Sequence, residues 1–358
     1  MYLTNNITFC EPLSKNSAEL IVDGPLTLLC VILGIIGNVQ AILFLQSCKL
    51  NRRLVANMTV LFVWDCLLLI VAVLYYSLTS FFELFQIPIQ MDKFIVIFHG
   101  PASITLTSSI WLTLLIVIYR YLAVIKPFNG IDGSIYTSMN NSSSFSQNFK
   151  FYKTPLIVVG LAILINIPIF FEMRYQDCYD EKTESWSKNA NPTPLRINPM
   201  YKTFYRLILK TTLESFIPFF LAATLLALTQ VKVLRSNKRR MRLAPGGQRD
   251  NNDKAVSYMA VIIVFKFLVL HFLRVSLDVW EVFIDPTEIF DLLAKVSNVL
   301  VTINSATNYL VYLGKRSTNN EKKTSDRGKS HVVKLKTNEE THVLMLKKNS
   351  SQSTANES

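Results

Sequence analysis

The chain has 358 residues, 50% of them hydrophobic, with a mean hydropathy of +0.30 and a formal net charge of +12. A soluble domain of this length is rarely so apolar, and it spreads its apolar residues periodically instead of massing them in long blocks. A run of about 20 uncharged residues suffices to cross a bilayer as a helix, so composition excludes an ordinary water-soluble fold.

Residues 1–24 are polar and carry a glycosylation sequon, Asn6-Ile7-Thr8. No signal-peptide pattern precedes the first apolar block, so that block is expected to act as its own signal anchor. It covers 25–46 and contains Gly37-Asn38. A short basic loop with Lys49, Arg52 and Arg53 leads to the second span, 54–79, whose single charge is Asp65. The third, 94–123, ends on Tyr119-Arg120-Tyr121, with Lys126 and Pro127 just beyond. An arginine there either anchors the helix at the cytoplasmic face or has a use of its own, since charge at the hydrocarbon edge is costly. Residues 128–153 are rich in Ser and Asn and read as a flexible loop. The fourth span is 154–171. A long polar segment with mixed charge and Cys178 runs over 172–201.

The fifth span, 204–234, contains Pro218 and runs into a strongly basic stretch over 232–254. That stretch is expected to rest on anionic membrane lipid. The sixth and seventh spans are 255–279 and 292–313, separated by a loop carrying Glu281, Asp285, Glu288 and Asp291. From residue 314 the tail is basic, rich in Ser and Thr, and reads as disordered. The sequence therefore predicts an all-α membrane protein in three parts: an extracellular segment (1–24), a seven-helix bundle (25–313) and a cytoplasmic tail (314–358). Lys and Arg concentrate in the loops after spans one, three and five and in the tail, which puts the N-terminus outside and the C-terminus inside.

Of five cysteines, Cys30 and Cys66 lie in apolar runs as expected buried thiols, and Cys48 stands beside basic residues. Cys10 and Cys178 fall on the oxidising side, where they either bridge or remain free. Asp65, mid-span, needs protonation, a partner or water. Asn38, Ser109, Asn304, Ser305 and Asn308 recur at compatible depth, Asn304 and Asn308 sharing a helical face. Asp65, Ser109, Asn304 and Asn308 together could supply oxygen ligands to water and a small cation, sodium being the expected allosteric ligand. Taken singly, each is an ordinary interhelical hydrogen bond worth ~0.6 kcal/mol.

Gly37-Asn38, Asp65, Tyr119-Arg120-Tyr121, Pro218 and Asn308-Tyr309-Leu310-Val311-Tyr312 fall in the order and spans of the rhodopsin-like G-protein-coupled receptors, which the chain resembles over 25–316. More narrowly, NIPIFFE (166–172), LHFLRVSLDVWE (270–281) and KVSNVLVTINSATNYLVY (295–312) resemble the invertebrate FMRFamide-type neuropeptide receptors, including the nematode branch. The resemblance implies a multi-pass plasma-membrane receptor for an amidated peptide. It also implies coupling to a heterotrimeric G protein through Arg120, Tyr119, Asn308 and Tyr312, with arrestin as a further partner. The chain departs from the wider pattern where Tyr119 replaces an acid, Ile95 a cysteine, His271 or Phe272 a tryptophan and Leu273 or Arg274 a proline, and its fourth span has no tryptophan.

An RF-amide peptide carries a cation, an aromatic ring and a neutral amide, so carboxylates and aromatic walls would complement it. The acidic rim between spans six and seven, Glu281 included, supplies a steering field unless it is only a solvated loop. Deeper candidates are Glu214, Asp278, His271, Tyr75 and Tyr76. Glu214 is alternatively an i, i+4 partner of Lys210, and Asp278 of Arg274. A chemosensory receptor for a small molecule is the rival within the class. A transporter would show an internal repeat or paired broken helices, and none is found. The four histidines are scattered, with no metal-spaced cluster, nucleophile motif or phosphate loop, so the chain is not expected to be an enzyme, nor to bind nucleic acid.

Overall fold

The computed structural model describes residues 17–47, 52–86, 92–125, 144–180, 185–243, 251–283 and 288–309. Among them seven long helices run in sequence: α1 (Ser17–Gln46), α2 (Arg52–Leu84), α3 (Asp92–Ile125), α4 (Ser144–Asn166), α5 (Tyr201–Leu243), α6 (Asn251–Phe283) and α7 (Glu288–Ala306). Among the described residues, α1, α2, α3, α4, α5 and α7 hold stretches long and apolar enough to cross a membrane by length and composition. Between α4 and α5 the chain forms an antiparallel hairpin of β1 (Met173–Asp180) and β2 (Ser185–Pro192), pairing Met173 with Pro192 and Cys178 with Ser187.

The helices are apolar on all sides because they face two different apolar surroundings. On α1, Leu29, Ile32, Leu33, Ile36 and Leu43 point outward, while Val31, Asn38, Ala41 and Leu45 are buried. In a bilayer the outward set meets lipid, so burial gives no net hydrophobic gain and close packing has to select the interfaces. Gly34 and Gly37 perform that selection against α7. A Cβ on Gly34 would lie 2.6 Å from the Ala306 Cβ, and one on Gly37 would fall 2.0 Å from the Tyr309 ring. Around α3, Ile110 and Val117 pack with Ala222 and Leu225 of α5 and with Val264 and Phe267 of α6.

At the hairpin end, α1, α2 and α5 carry widened turns. Pro25 lies in the first, and Pro218 follows the last by two residues. Such turns leave carbonyls short of their usual donors, and side chains answer. Thr27 Oγ1 donates to Val22 O at 2.9 Å, and Ser77 Oγ donates to Gly24 O at 2.8 Å.

Several sequence boundaries are corrected. The first helix begins at Ser17, eight residues ahead of the expected start, because polar Glu19 and Asp23 are buried against neighbours and not solvated. The Ser/Asn-rich loop is helical from Ser144 onward. The polar 172–201 segment is a hairpin, with Thr193 N–H donating to Glu172 O at 2.8 Å across its base. Glu288 and Asp291, expected in the rim loop, open α7, and Glu281 is in the last turn of α6. Residues 1–16 of the expected extracellular segment, with Asn6 and Cys10, the expected cytoplasmic tail, Asp285 and Tyr312 lie outside the described residues.

Candidate functional site

Two buried polar groups occupy the hairpin end. The first is centred on Glu172, 1% exposed. Tyr201 Oη donates to its Oε1 at 2.9 Å, His99 Nε2 bonds Oε2 at 3.1 Å, and Arg206 Nε stands 3.6 Å from Oε1. Tyr75 Oη in turn bonds His99 Nδ1 at 2.9 Å. This ties α2, α3, the end of α4 and α5 through one carboxylate. Burial by itself would raise the Glu172 pKa; hydrogen bonds from His99 and Tyr201 and the nearby Arg206 charge outweigh it and hold the carboxyl well below its ordinary range.

The second group is centred on Glu214, 3% exposed. Thr107 Oγ1 donates to its Oε1, and Ser103 Oγ lies 3.5 Å from the same oxygen. Asn166 Nδ2 donates to Thr107 Oγ1 at 3.0 Å and Asn166 Oδ1 accepts from Ser103 Oγ at 2.8 Å, fixing both hydroxyls. The i, i+4 pairing with Lys210 exists but is long, 3.9 Å, so the α3 hydroxyls are the nearer partners. Across the gap, Ser215 Oγ donates to Asp278 Oδ2. A cavity of about 330 Å³ opens here between α5 and α6, lined by Arg206, Lys210, Glu214, Ser215, Arg274 and Asp278 among others. Carboxylates and basic side chains thus share one cleft of mixed charge. Helical spacing brings Arg206 and Lys210 to the face of α5 that Glu214 occupies, and Arg274 to the face of α6 that holds Asp278.

Tyr75 and Tyr76 lie in the widened turn of α2, their rings 4.6 Å apart edge to face. His271 is 4% exposed and stacks on Phe267 at 4.3 Å, its Nδ1 bonded to Phe267 O at 3.2 Å. Its Nε2 is buried without a hydrogen-bond partner among the described residues, so the ring belongs to the interior below the cleft.

In mid-bundle, polar side chains from several helices meet at Asp65. Asp65 is fully buried, with Ser109 Oγ donating to Oδ1 and Asn308 Nδ2 to Oδ2, both at 2.6 Å. Asn38 Nδ2 donates to Ser305 O at 3.1 Å beside it. Asn304 is a correction: its side-chain oxygen is buried without a hydrogen-bond partner among the described residues, and only its backbone carbonyl joins the network. The donor to that carbonyl is Lys266 Nζ, at 2.8 Å. Sequence reasoning missed Lys266, His99 and Glu172 as site residues. The available signal was a lone basic, imidazole or acidic group in or beside an apolar run.

At the far end of α3, Tyr119 and Arg120 are half-buried. Among the described cysteines, Cys30 and Cys66 are free thiols and Cys178, buried on β1, is disulfide-bonded. Cys10, its expected partner, lies outside the described residues.

Long helices with polar clusters buried between outward apolar sides define a multi-pass helical membrane protein. No family model matches the chain. Over 306 residues it is 26% identical to the FMRFamide receptor of Drosophila melanogaster, an alignment covering 84% of this chain and 53% of that one. Over 179 residues it is 24% identical to the probable G-protein coupled receptor frpr-1 of Caenorhabditis elegans, covering 48% of this chain and 44% of the relative. The chain spans about half the length of the curated relatives it matches. The chain is thus similar to FMRFamide-type G-protein-coupled receptors, and its long apolar helices mark it as a multi-pass membrane protein.

Proposed function

We propose that the chain is a receptor for an amidated, FMRFamide-like neuropeptide and passes the signal to a heterotrimeric G protein. The hairpin end faces outward, in keeping with the basic loops at the opposite end. The observation that carries the reading is the mixed-charge cleft between α5 and α6, taken with the likeness to the FMRFamide receptor. Glu214 and Asp278 supply carboxylates for a ligand guanidinium. Arg206, Lys210 and Arg274 supply donors for the carbonyl oxygens of an amidated end, which carries no charge to compete with Glu214 or Asp278. Tyr75, Tyr76 and His271 are not among the described residues that line this cleft.

On the opposite side, Arg120 and Tyr119 at the end of α3 form the coupling end. Agonist and G protein favour the same state there and raise each other's affinity. Arrestin is a further partner for that end, and anionic lipid for the basic extension of α5. The deciding experiment is a panel of amidated peptides, their free acids and small organic ligands on cells expressing the chain, read by G-protein dissociation. Responses to the amidated peptides alone are expected; a response confined to small organic ligands would replace the reading with a chemosensory one. Arg120→Ala should bind the active peptide normally and lose nucleotide exchange, measured on surface-expressed receptor.

A further inference from the structure

Lys266 lies on α6 in the middle of an apolar stretch, yet its ammonium is not aimed at lipid or water. It donates to Asn304 O at 2.8 Å, Thr307 Oγ1 at 3.2 Å and Asn308 Oδ1 at 2.5 Å. An ammonium has three protons, and all three are used. The acceptors are a carbonyl, a hydroxyl and an amide oxygen of α7, the hard oxygen donors that an alkali cation also seeks.

The amide of Asn308 is fixed from both sides. Its oxygen accepts from Lys266 and its nitrogen donates to Asp65 Oδ2. Rotating it by half a turn would set oxygen against carboxylate and NH2 against ammonium, so only one orientation is possible. Carboxylate, amide and ammonium thus run in series across α2, α7 and α6, and positive charge reaches the Asp65 site without a free ion. A second cation beside the ammonium would be repelled strongly in this poorly screened interior.

We infer that the Lys266 ammonium is the resident cation of the Asp65 cluster and occupies the place that a free sodium ion was expected to fill. The cluster is then independent of external sodium. The same three bonds tie α6 to α7, so separating the two helices requires breaking them. Replacing the ammonium by a neutral group of similar length leaves the oxygens of Asn304, Thr307 and Asn308 without their cation, a site beside Asp65 that sodium can enter.

The test needs no peptide, so it stands apart from the ligand reading. Thermal unfolding of the purified full chain in detergent is compared in sodium chloride and choline chloride at equal ionic strength. The unmodified chain should melt at the same temperature in both. Lys266→Met, which keeps the stem and drops the charge, should melt roughly 3 °C higher in sodium, as for one site filled at about tenfold over its Kd. Adding Asp65→Asn to that variant should abolish the difference. Sodium stabilisation of the unmodified chain, removed by Asp65→Asn, would overturn the assignment, and so would equal melting of Lys266→Met in the two salts. If Lys266→Met does not fold, Lys266→Gln takes its place under the same criteria. Should neither fold, Lys266→Arg must, since it keeps the charge; its failure also counts against the assignment.

Discussion

The Asp65 cluster and the Glu214–Asp278 cleft are both polar groups set between apolar helices, but they differ in closure. In the first, Asp65, Ser109 and Asn308 are each at most 3% exposed, and every oxygen of the carboxylate has a donor. In the second, buried Glu214 stands at the edge of an open cavity shared with basic side chains. A closed polar group in low dielectric is strongly coupled to folding, because removing one member strands the rest. An open one exchanges partners with whatever enters. Closure, more than polarity, thus separates a stability element from a recognition element in this bundle.

The most severe break of that contrast is Asp65→Ala. It strands the Lys266 ammonium and the Asn308 amide, and should cost about 3–5 kcal/mol of stability by thermal unfolding. The fraction that folds should still bind the active peptide within a few-fold of normal. Glu172 sharpens the contrast, because it sits at the recognition end yet is closed. Glu172→Gln keeps the shape but removes the charge that faces Arg206 and His99, and should cost about 2 kcal/mol, again by thermal unfolding. If instead it left stability unchanged and weakened peptide binding, position along the bundle would matter more than closure.

Asp278→Asn probes the open group. A tenfold or greater loss of peptide potency is expected, about 1.4 kcal/mol, with surface expression and melting temperature unchanged. The smallest effect concerns acid. The Glu172 carboxyl titrates below its unfolded value, so its contribution is full above the ordinary Glu pKa of about 4.3 and is lost as pH falls toward the lowered value. The melting-temperature gap between the unmodified chain and Glu172→Gln should therefore be constant from pH 7 to about pH 5 and narrow below about pH 4.

The spans were legible because bilayer thickness sets a length, and any block of about 20 apolar residues meets it. Asp65, Ser109 and Asn308 were legible for a related reason: polar groups are costly at that depth, so each announces itself in an apolar run. Hydropathy could not say which of them touch. Asn304 shares a face with Asn308, yet its side chain stays out of the network while its carbonyl joins. Lys266 reads in sequence as a lone charge in an apolar run; only the packing of α6 on α7 brings its ammonium to three oxygens. The hairpin was hidden too, since its strands lack the apolar alternation that marks a half-buried sheet and are held at the base by Thr193 and Glu172. Sequence alone thus determined how many times the chain crosses and which residues are costly there. Tertiary structure decided their partners, because partner choice depends on helix rotation and close approach, as at Gly34 and Gly37, which no single helix specifies.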